Sequence, residues 1–219
     1  FDKGEIQYDD STFDISLSLL IDDSKMPIII QGLVPVSKDD NLDLRLIGNG
    51  KFIELIDILS DNKFIFKEGD VNLRMLVKGN IRKPIVNGFL VIKDSEIEIY
   101  KNIIKNINSL IIFDFDHLQV KNLNAKGENI GNISIKGALP FYNRQGFSEK
   151  NINLRTNKFN ISSNNIKFLL DSNLQISGSF KNPVLGGNLS LTNGFINFNT
   201  SNKNINNKNI SQKNNKKNW

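Results

Sequence analysis

The sequence predicts a mainly all-β fold: an elongated, curled antiparallel sheet forming an apolar trough, with at most one short amphipathic helix per repeat. Three observations predict it. Apolar and polar residues alternate along most of the chain, as in strands that are dry on one side and wet on the other. A long motif returns after about 100 residues, the mark of a stacked or elongated architecture. Gly and Pro punctuate the alternating runs at matching places, where backbone bends or approaches closely.

The alternation can be followed strand by strand. Phe13, Ile15, Leu17 and Leu19 share one face, with Asp14, Ser16 and Ser18 on the other. Leu42, Leu44 and Leu46 oppose Asp43 and Arg45. Val71, Leu73, Met75 and Val77 oppose Asn72 and Arg74, and Leu189 and Leu191 oppose Ser190 and Thr192. The Ile, Phe, Val and Thr of these runs suit a pleated, half-buried surface. Phe89–Ile92 is apolar throughout, so its inward face is left open.

The repeat is anchored by Gly79, Pro84 and Gly88, which return 99 residues later as Gly178, Pro183 and Gly187. Upstream, Ile30-Gln31-Gly32 and Pro35 match Ile135-Lys136-Gly137 and Pro140. Asn41–Arg45 matches Asn151–Arg155, and Asp70–Leu73 matches Asp171–Leu174. The offsets run 105, 110, 101 and 99. Pro cannot donate to a ladder, so Pro84 and Pro183 belong in turns or at strand starts. Asp94-Ser95 and Asn193-Gly194 carry two-residue hairpin chemistry and are expected to turn the chain at the end of each unit. The organisation reads as leading strands over 1–27, a first β unit over 28–100, connecting strands over 101–132, a second unit over 133–198 and a tail over 199–219.

One segment breaks the period. Phe52, Leu55, Ile56 and Leu59 fall at i, i+3, i+4 and i+7 after Gly50, the stripe of a short amphipathic helix. Asn165–Leu170 in the second unit is a shorter or strand-like counterpart.

Composition excludes several classes. The chain has 219 residues and no Cys, so disulfides and thiolate metal sites are absent. Of 28 basic residues, five (Lys203, Lys208, Lys213, Lys216 and Lys217) lie in the tail, which has no acid. Subtracting them leaves 23 against 23 acidic residues, so the net charge of +5 belongs to the tail and the body is neutral. That argues against nucleic acid as a partner, since such binders concentrate basic charge on a folded face. The Asn- and Lys-rich tail is predicted to be disordered. No apolar run nears the roughly 18 residues that span a bilayer. Phe1 is not an initiator, so the chain reads as a piece of a longer protein.

Catalytic signals are weak. Ile111-Ile112-Phe113-Asp114-Phe115-Asp116 resembles the nucleophile motif of haloacid-dehalogenase-type phosphatases, where paired carboxylates serve phosphoryl transfer with magnesium. His117 and Leu118 stand where that family has Gly-Thr, and the alternating α/β units are missing. The alternative is a strand with Asp114 and Asp116 on its wet face and Phe113 and Phe115 on its dry face. His117 is the only His, which rules out a His-pair zinc site. Ser60-x-x-Lys63 and Gly48-x-Gly50 lack the companion elements of their motifs. The expectation is a protein without enzymatic activity, cofactor or metal.

Together, the Gly-x4-Pro-x3-Gly units, the Ile-x-Gly-x-x-Pro strand ends and their spacing resemble the TamB (translocation and assembly module) family over roughly residues 10–198. These are long AsmA-like envelope proteins of diderm bacteria, with a chloroplast-envelope relative. The resemblance implies a periplasmic β-trough lined with apolar side chains, held by an inner-membrane anchor that this chain does not display. It also implies an outer-membrane barrel-assembly partner, and work in outer-membrane protein assembly, secretion or phospholipid transport. The Asn/Lys tail departs from the family's usual C-terminal region.

The residues support the trough without the name. A one-sided apolar sheet with about one helix to cover it must curl or bind a ligand. Phospholipid acyl chains suit such a groove, with Phe13, Ile15, Leu17, Leu19, Leu42, Leu44, Leu46, Val71, Leu73, Met75, Val77, Leu189 and Leu191 as candidate lining. The competing readings are a repetitive, adhesin-like β scaffold that binds proteins and, more remotely, a phosphatase using Asp114 and Asp116.

Overall fold

The computed structural model describes residues 3–20, 28–50, 63–142, 150–163 and 165–196. Twelve strands follow one another: β1 (Lys3–Asp9), β2 (Thr12–Leu19), β3 (Ile28–Pro35), β4 (Asn41–Asn49), β5 (Phe64–Asn80) and β6 (Ile85–Ile99). Then come β7 (Asn102–Phe115), β8 (His117–Gly127), β9 (Asn132–Pro140), β10 (Ile152–Ser163), β11 (Ile166–Gly178) and β12 (Pro183–Ile196). They form one antiparallel sheet in chain order, so every connection joins neighbours. The fold is all-β, and no helix occurs among the described residues. The helical stripe of Phe52, Leu55, Ile56 and Leu59 lies outside them, as does the 199–219 tail. The Asn165–Leu170 counterpart is strand, the start of β11.

The register assigns each strand's faces. One row runs Ile6–Ile15–Gly32–Leu44–Val77–Val86 across β1 to β6. Another runs Ile111–Val120–Gly137–Ile152–Ile176–Leu185 across β7 to β12. The two rows are the same row of a six-strand unit repeated once. Ile6, Ile15 and Gly32 match Ile111, Val120 and Gly137 at an offset of 105, and Val77 and Val86 match Ile176 and Leu185 at 99. Since Gly32 faces Leu44 and Gly137 faces Ile152, the β4-to-β10 offset is 108, not the 110 read from Asn41–Arg45. Leu73 and Ser172 hold equivalent places opposite Leu90 and Leu189, so the Asp70–Leu73 match also slips by two, from 101 to 99. Both slips are even, so every side chain keeps its face.

Glycines mark every third strand. Gly32, Gly88, Gly137 and Gly187 sit on β3, β6, β9 and β12 with φ of 131°, 152°, 136° and 125°. At Gly137 a Cβ would lie 2.0 Å from the Asn151 carbonyl oxygen, and at Gly88 it would lie 2.0 Å from that of Arg74. Only Gly fits where φ is positive and a neighbouring backbone comes this close. Gly88 is thus inside β6, not in the connection before it. That connection is a turn closed by Lys83 N–H donating to Asn80 O at 3.0 Å, with Pro84 just ahead of the strand and Pro183 opening β12.

The expected hairpin turns at Asp94-Ser95 and Asn193-Gly194 are absent. β6 and β12 run straight through both sites, and each site is a bulge. Asp94 and Asn193 adopt φ of 43° and 49°, which Asp and Asn tolerate in bulges as well as in turns. Asp94 N–H donates to Asn108 Oδ1 at 3.2 Å, and Asn108 Nδ2 donates back to Asp94 Oδ1 at 3.1 Å, which fixes the bulge to β7. Further left-handed residues occur at Asn106 on β7 and Lys158 on β10. This line of irregularities bends the long strands, as bulges do in sheets that curl.

The curl is pronounced. β7 and β10 are three places apart, which in a flat sheet means about 14 Å, yet their Cα atoms approach within 8 Å. Ser162 N–H donates to Asn102 Oδ1 across that gap at 2.6 Å. On the apolar side Val120, Leu139 and Ile152 form the buried core, packed by Ile111, Leu118, Leu123, Ile135 and Ile176.

Candidate functional site

The candidate site is the apolar face itself. Leu17, Leu46 and Met75 align through Ile30, and Ile15, Leu44 and Val77 align through Gly32. Phe13 lies opposite Val34 and packs at a tilt against Tyr8, with ring centroids 5.1 Å apart. Leu19 faces Ile28, Leu42 faces Gly79, Val71 faces Ile92 and Leu73 faces Leu90. Leu189 and Leu191 lie opposite Ser172 and Leu170, at the other edge of the sheet. All thirteen candidates therefore share one continuous face, divided between its two ends.

Sequence reasoning passed over the middle. Val120, Leu139 and Ile152 form a buried cluster on the face that none of the candidates belongs to, although the candidate Val71, at 2% exposed, is buried as deeply. The Ile133–Ile135–Gly137–Leu139 alternation in β9 was available as a signal. In β8 a register shift between Val120 and Leu123 hides the period. The structure also settles Phe89–Ile92: Leu90 pairs with Ile111 and Ile92 with Ser109, so these two join the apolar face and Phe89 and Val91 the opposite one.

No charged side chain occupies an apolar-face register position in the described strands. Charge sits on the other face, where Lys78 Nζ meets Asp43 Oδ2 at 2.8 Å, Lys67 meets Glu98 at 3.0 Å and Lys105 meets Glu96 at 3.5 Å. The polar intrusions on the apolar face are small. Thr156 Oγ1 donates to Leu170 O at 3.1 Å and lies 2.9 Å from Ser172 Oγ, whereas Ser109 Oγ is buried without a partner. The face is tight at its centre and open at both edges: Val120 is 5% exposed, against 59% for Ile6 and 57% for Leu189. Among the described residues, depressions on the opposite face around Arg74 and Phe89 are open to solvent.

Asp114 and Asp116 do not share the wet face of a strand. β7 ends at Phe115, whose φ is 56° and whose ring is exposed, and Asp116 lies in the turn before β8. The carboxylates flank His117, with Asp116 Oδ1 3.2 Å from Nδ1 and Asp114 Oδ2 3.7 Å from Nε2. Among the described residues no group of three or more His, Cys, Asp or Glu is placed to hold a metal ion.

Residues 121–218 match the family model described as the TamB C-terminal domain. This segment is a TamB-family domain. The TamB match begins in β8 and runs past β12, so the Asn/Lys-rich stretch read as a departure from the family falls within it. β1–β6 lie outside the match but repeat the β7–β12 register. A similar curated protein is "Protein TIC236, chloroplastic" of Arabidopsis thaliana, 22% identical over 130 residues, which is 58% of this chain. The matched stretch spans only 6% of that relative's length. No solved structure matches. The likeness to the TamB C-terminal domain covers the second half of the sheet and the stretch that follows it. No helix among the described residues is long and apolar enough to cross a membrane.

Proposed function

We propose that this chain is part of the periplasmic portion of an inner-membrane-anchored TamB-like protein. It gives phospholipid acyl chains an apolar path between the two envelope membranes. The observation that carries the reading is the uncharged apolar face shared by all twelve strands and open at both edges. Burying hydrocarbon is worth about 0.8 kcal/mol per CH₂, so an acyl chain needs no specific polar contact to bind there. This accounts for a face that lacks a convergent polar site. The role is one of passage, not chemistry. The family likeness further supports work beside an outer-membrane barrel-assembly protein.

Organic extraction of the purified chain followed by mass spectrometry tests the lipid reading. Phospholipid should co-purify. Leu73→Asp, which puts a carboxylate between Val71 and Met75 and opposite Leu90, should lower the lipid content while β-type circular dichroism persists. Undiminished lipid in a folded Leu73→Asp protein would show that this face is not the path.

A further inference from the structure

We propose that the outward face of the first unit binds an anionic amphiphile, an oxyanion head joined to an apolar body, through Arg45 and Arg74 beside Phe89. The site lies on the side of the sheet opposite the apolar face and does not depend on what that face carries.

The repeat supplies an internal comparison. One outward row of the first unit runs Ile29–Ile47–Arg74–Phe89 across β3 to β6. The same row of the second unit runs Ser134–Arg155–Asn173–Asn188 across β9 to β12. Three apolar residues thus stand where the second unit has polar ones. Beside them, Leu76 and Val91 stand where the second unit has Gln175 and Ser190. The second unit forms the same strands with a polar outward row, so strand formation does not require this apolar patch. Phe89 and Leu76 remain 38% and 41% exposed.

The arginines differ between the units as well. Arg155 Nε donates to Asn173 Oδ1 at 3.3 Å. Arg74 instead lies opposite Ile47, and its Nη1 donates to the adjacent carbonyl of Leu73 at 3.2 Å. Arg45, opposite Leu76, is its diagonal neighbour, a separation of about 7–8 Å that long side chains span. Asn153 holds the place of Arg45 in the second unit. Among the described residues no carboxylate pairs with either arginine, and Asp43, two residues from Arg45, is taken by Lys78 at 2.8 Å. Neighbouring like charges are destabilising, and an oxyanion held between them removes that repulsion. Forked guanidinium donors fit a phosphate or carboxylate.

The surface there is concave. Two adjoining depressions, of about 490 Å³ and about 530 Å³, share Arg74 and Phe89 as walls, and each has the size of a small-ligand site. Arg45, Ile47 and Leu76 complete the first, and Val91 extends the apolar wall into the second. The head belongs between the arginines and the apolar body against Phe89, Leu76 and Ile47.

Isothermal titration calorimetry of the whole 219-residue chain with hexyl phosphate, inorganic phosphate and hexyl glucoside tests the site. Hexyl phosphate should bind. The other two, which lack the tail or the charge, should bind at least about tenfold more weakly. Arg45→Asn and Arg74→Asn install the second-unit residues, which the same register already accommodates. Each should weaken hexyl phosphate about tenfold, the loss of one charge-assisted contact. Phe89→Asn should weaken hexyl phosphate and leave inorganic phosphate unchanged. Phospholipid extracted from the apolar face should be the same in all three variants, so this site and the acyl path fail separately. A parent chain that does not bind hexyl phosphate would overturn the site. So would undiminished binding in an Arg45→Asn/Arg74→Asn double variant that keeps its β-type circular dichroism. Equal binding of hexyl glucoside would show that charge is not read, and equal binding of inorganic phosphate that no apolar body is; either overturns the amphiphile assignment.

Discussion

Gly137→Ala probes how the sheet achieves its curvature. The glycine sits at φ 136°, and its added Cβ would lie 2.0 Å from Asn151 O, 2.8 Å from Ile152 Cα and 2.9 Å from Asn151 C. Two costs are separable. Holding Ala in a backbone region that only Gly enters freely costs about 1–3 kcal/mol. Relieving the backbone overlap needs β10 to move away, which disturbs the hydrogen bonds beside Ile152 and the contact of Ile152 with Val120 and Leu139. Overpacking of that kind costs about 1–3 kcal/mol more. The expected loss is therefore about 2–6 kcal/mol. Gly79→Ala is the control: its φ is 84°, but nothing lies within 4 Å of its Cβ, so it bears the conformational cost alone. Urea denaturation followed by circular dichroism measures both. The reasoning fails if Gly137→Ala is no less stable than Gly79→Ala.

Four other substitutions follow from the same structure. Leu139→Ala removes a side chain that is 3% exposed in the central cluster and should cost about 2–5 kcal/mol, read from the shift in denaturation midpoint. Ser109→Ala removes a buried hydroxyl without a partner and should stabilise the fold by about 1 kcal/mol; a loss of that size would mean the hydroxyl is satisfied. Lys158 is exposed at φ 47°, its backbone N–H donating to Asp171 Oδ1 at 2.7 Å. Lys158→Gly should be neutral or stabilising by up to about 1 kcal/mol, because it relieves left-handed strain, whereas Lys136→Gly within β9 should destabilise in the same thermal melt.

Much of the architecture was legible because alternation is a local property. Phe13–Leu19, Leu42–Leu46 and Val71–Val77 each announce which residues share a face. The shared face then follows from antiparallel pairing. The bulges were not legible as bulges. Asp94 and Asn193 carry left-handed chemistry that serves a turn and a bulge equally well, and the choice depends on partners such as Asn108, 14 residues on. The repeat was legible from Gly and Pro, but its middle was matched two residues out of place. The residues Asn41–Arg45 and Asn151–Arg155 look alike, whereas the pairing of Leu44 with Gly32 and of Ile152 with Gly137 is visible only in the ladder.

The sequence by itself determined that the chain is all-β, one-sided and repeated, because residue type and spacing dictate strand propensity and facing. Tertiary structure decided how many strands make a unit, where the sheet bends and which residues form its centre. Those outcomes depend on register between strands far apart in the chain. A two-residue slip that sequence similarity tolerates changes which side chain meets a glycine, and so where backbones can approach closely enough for the sheet to curl.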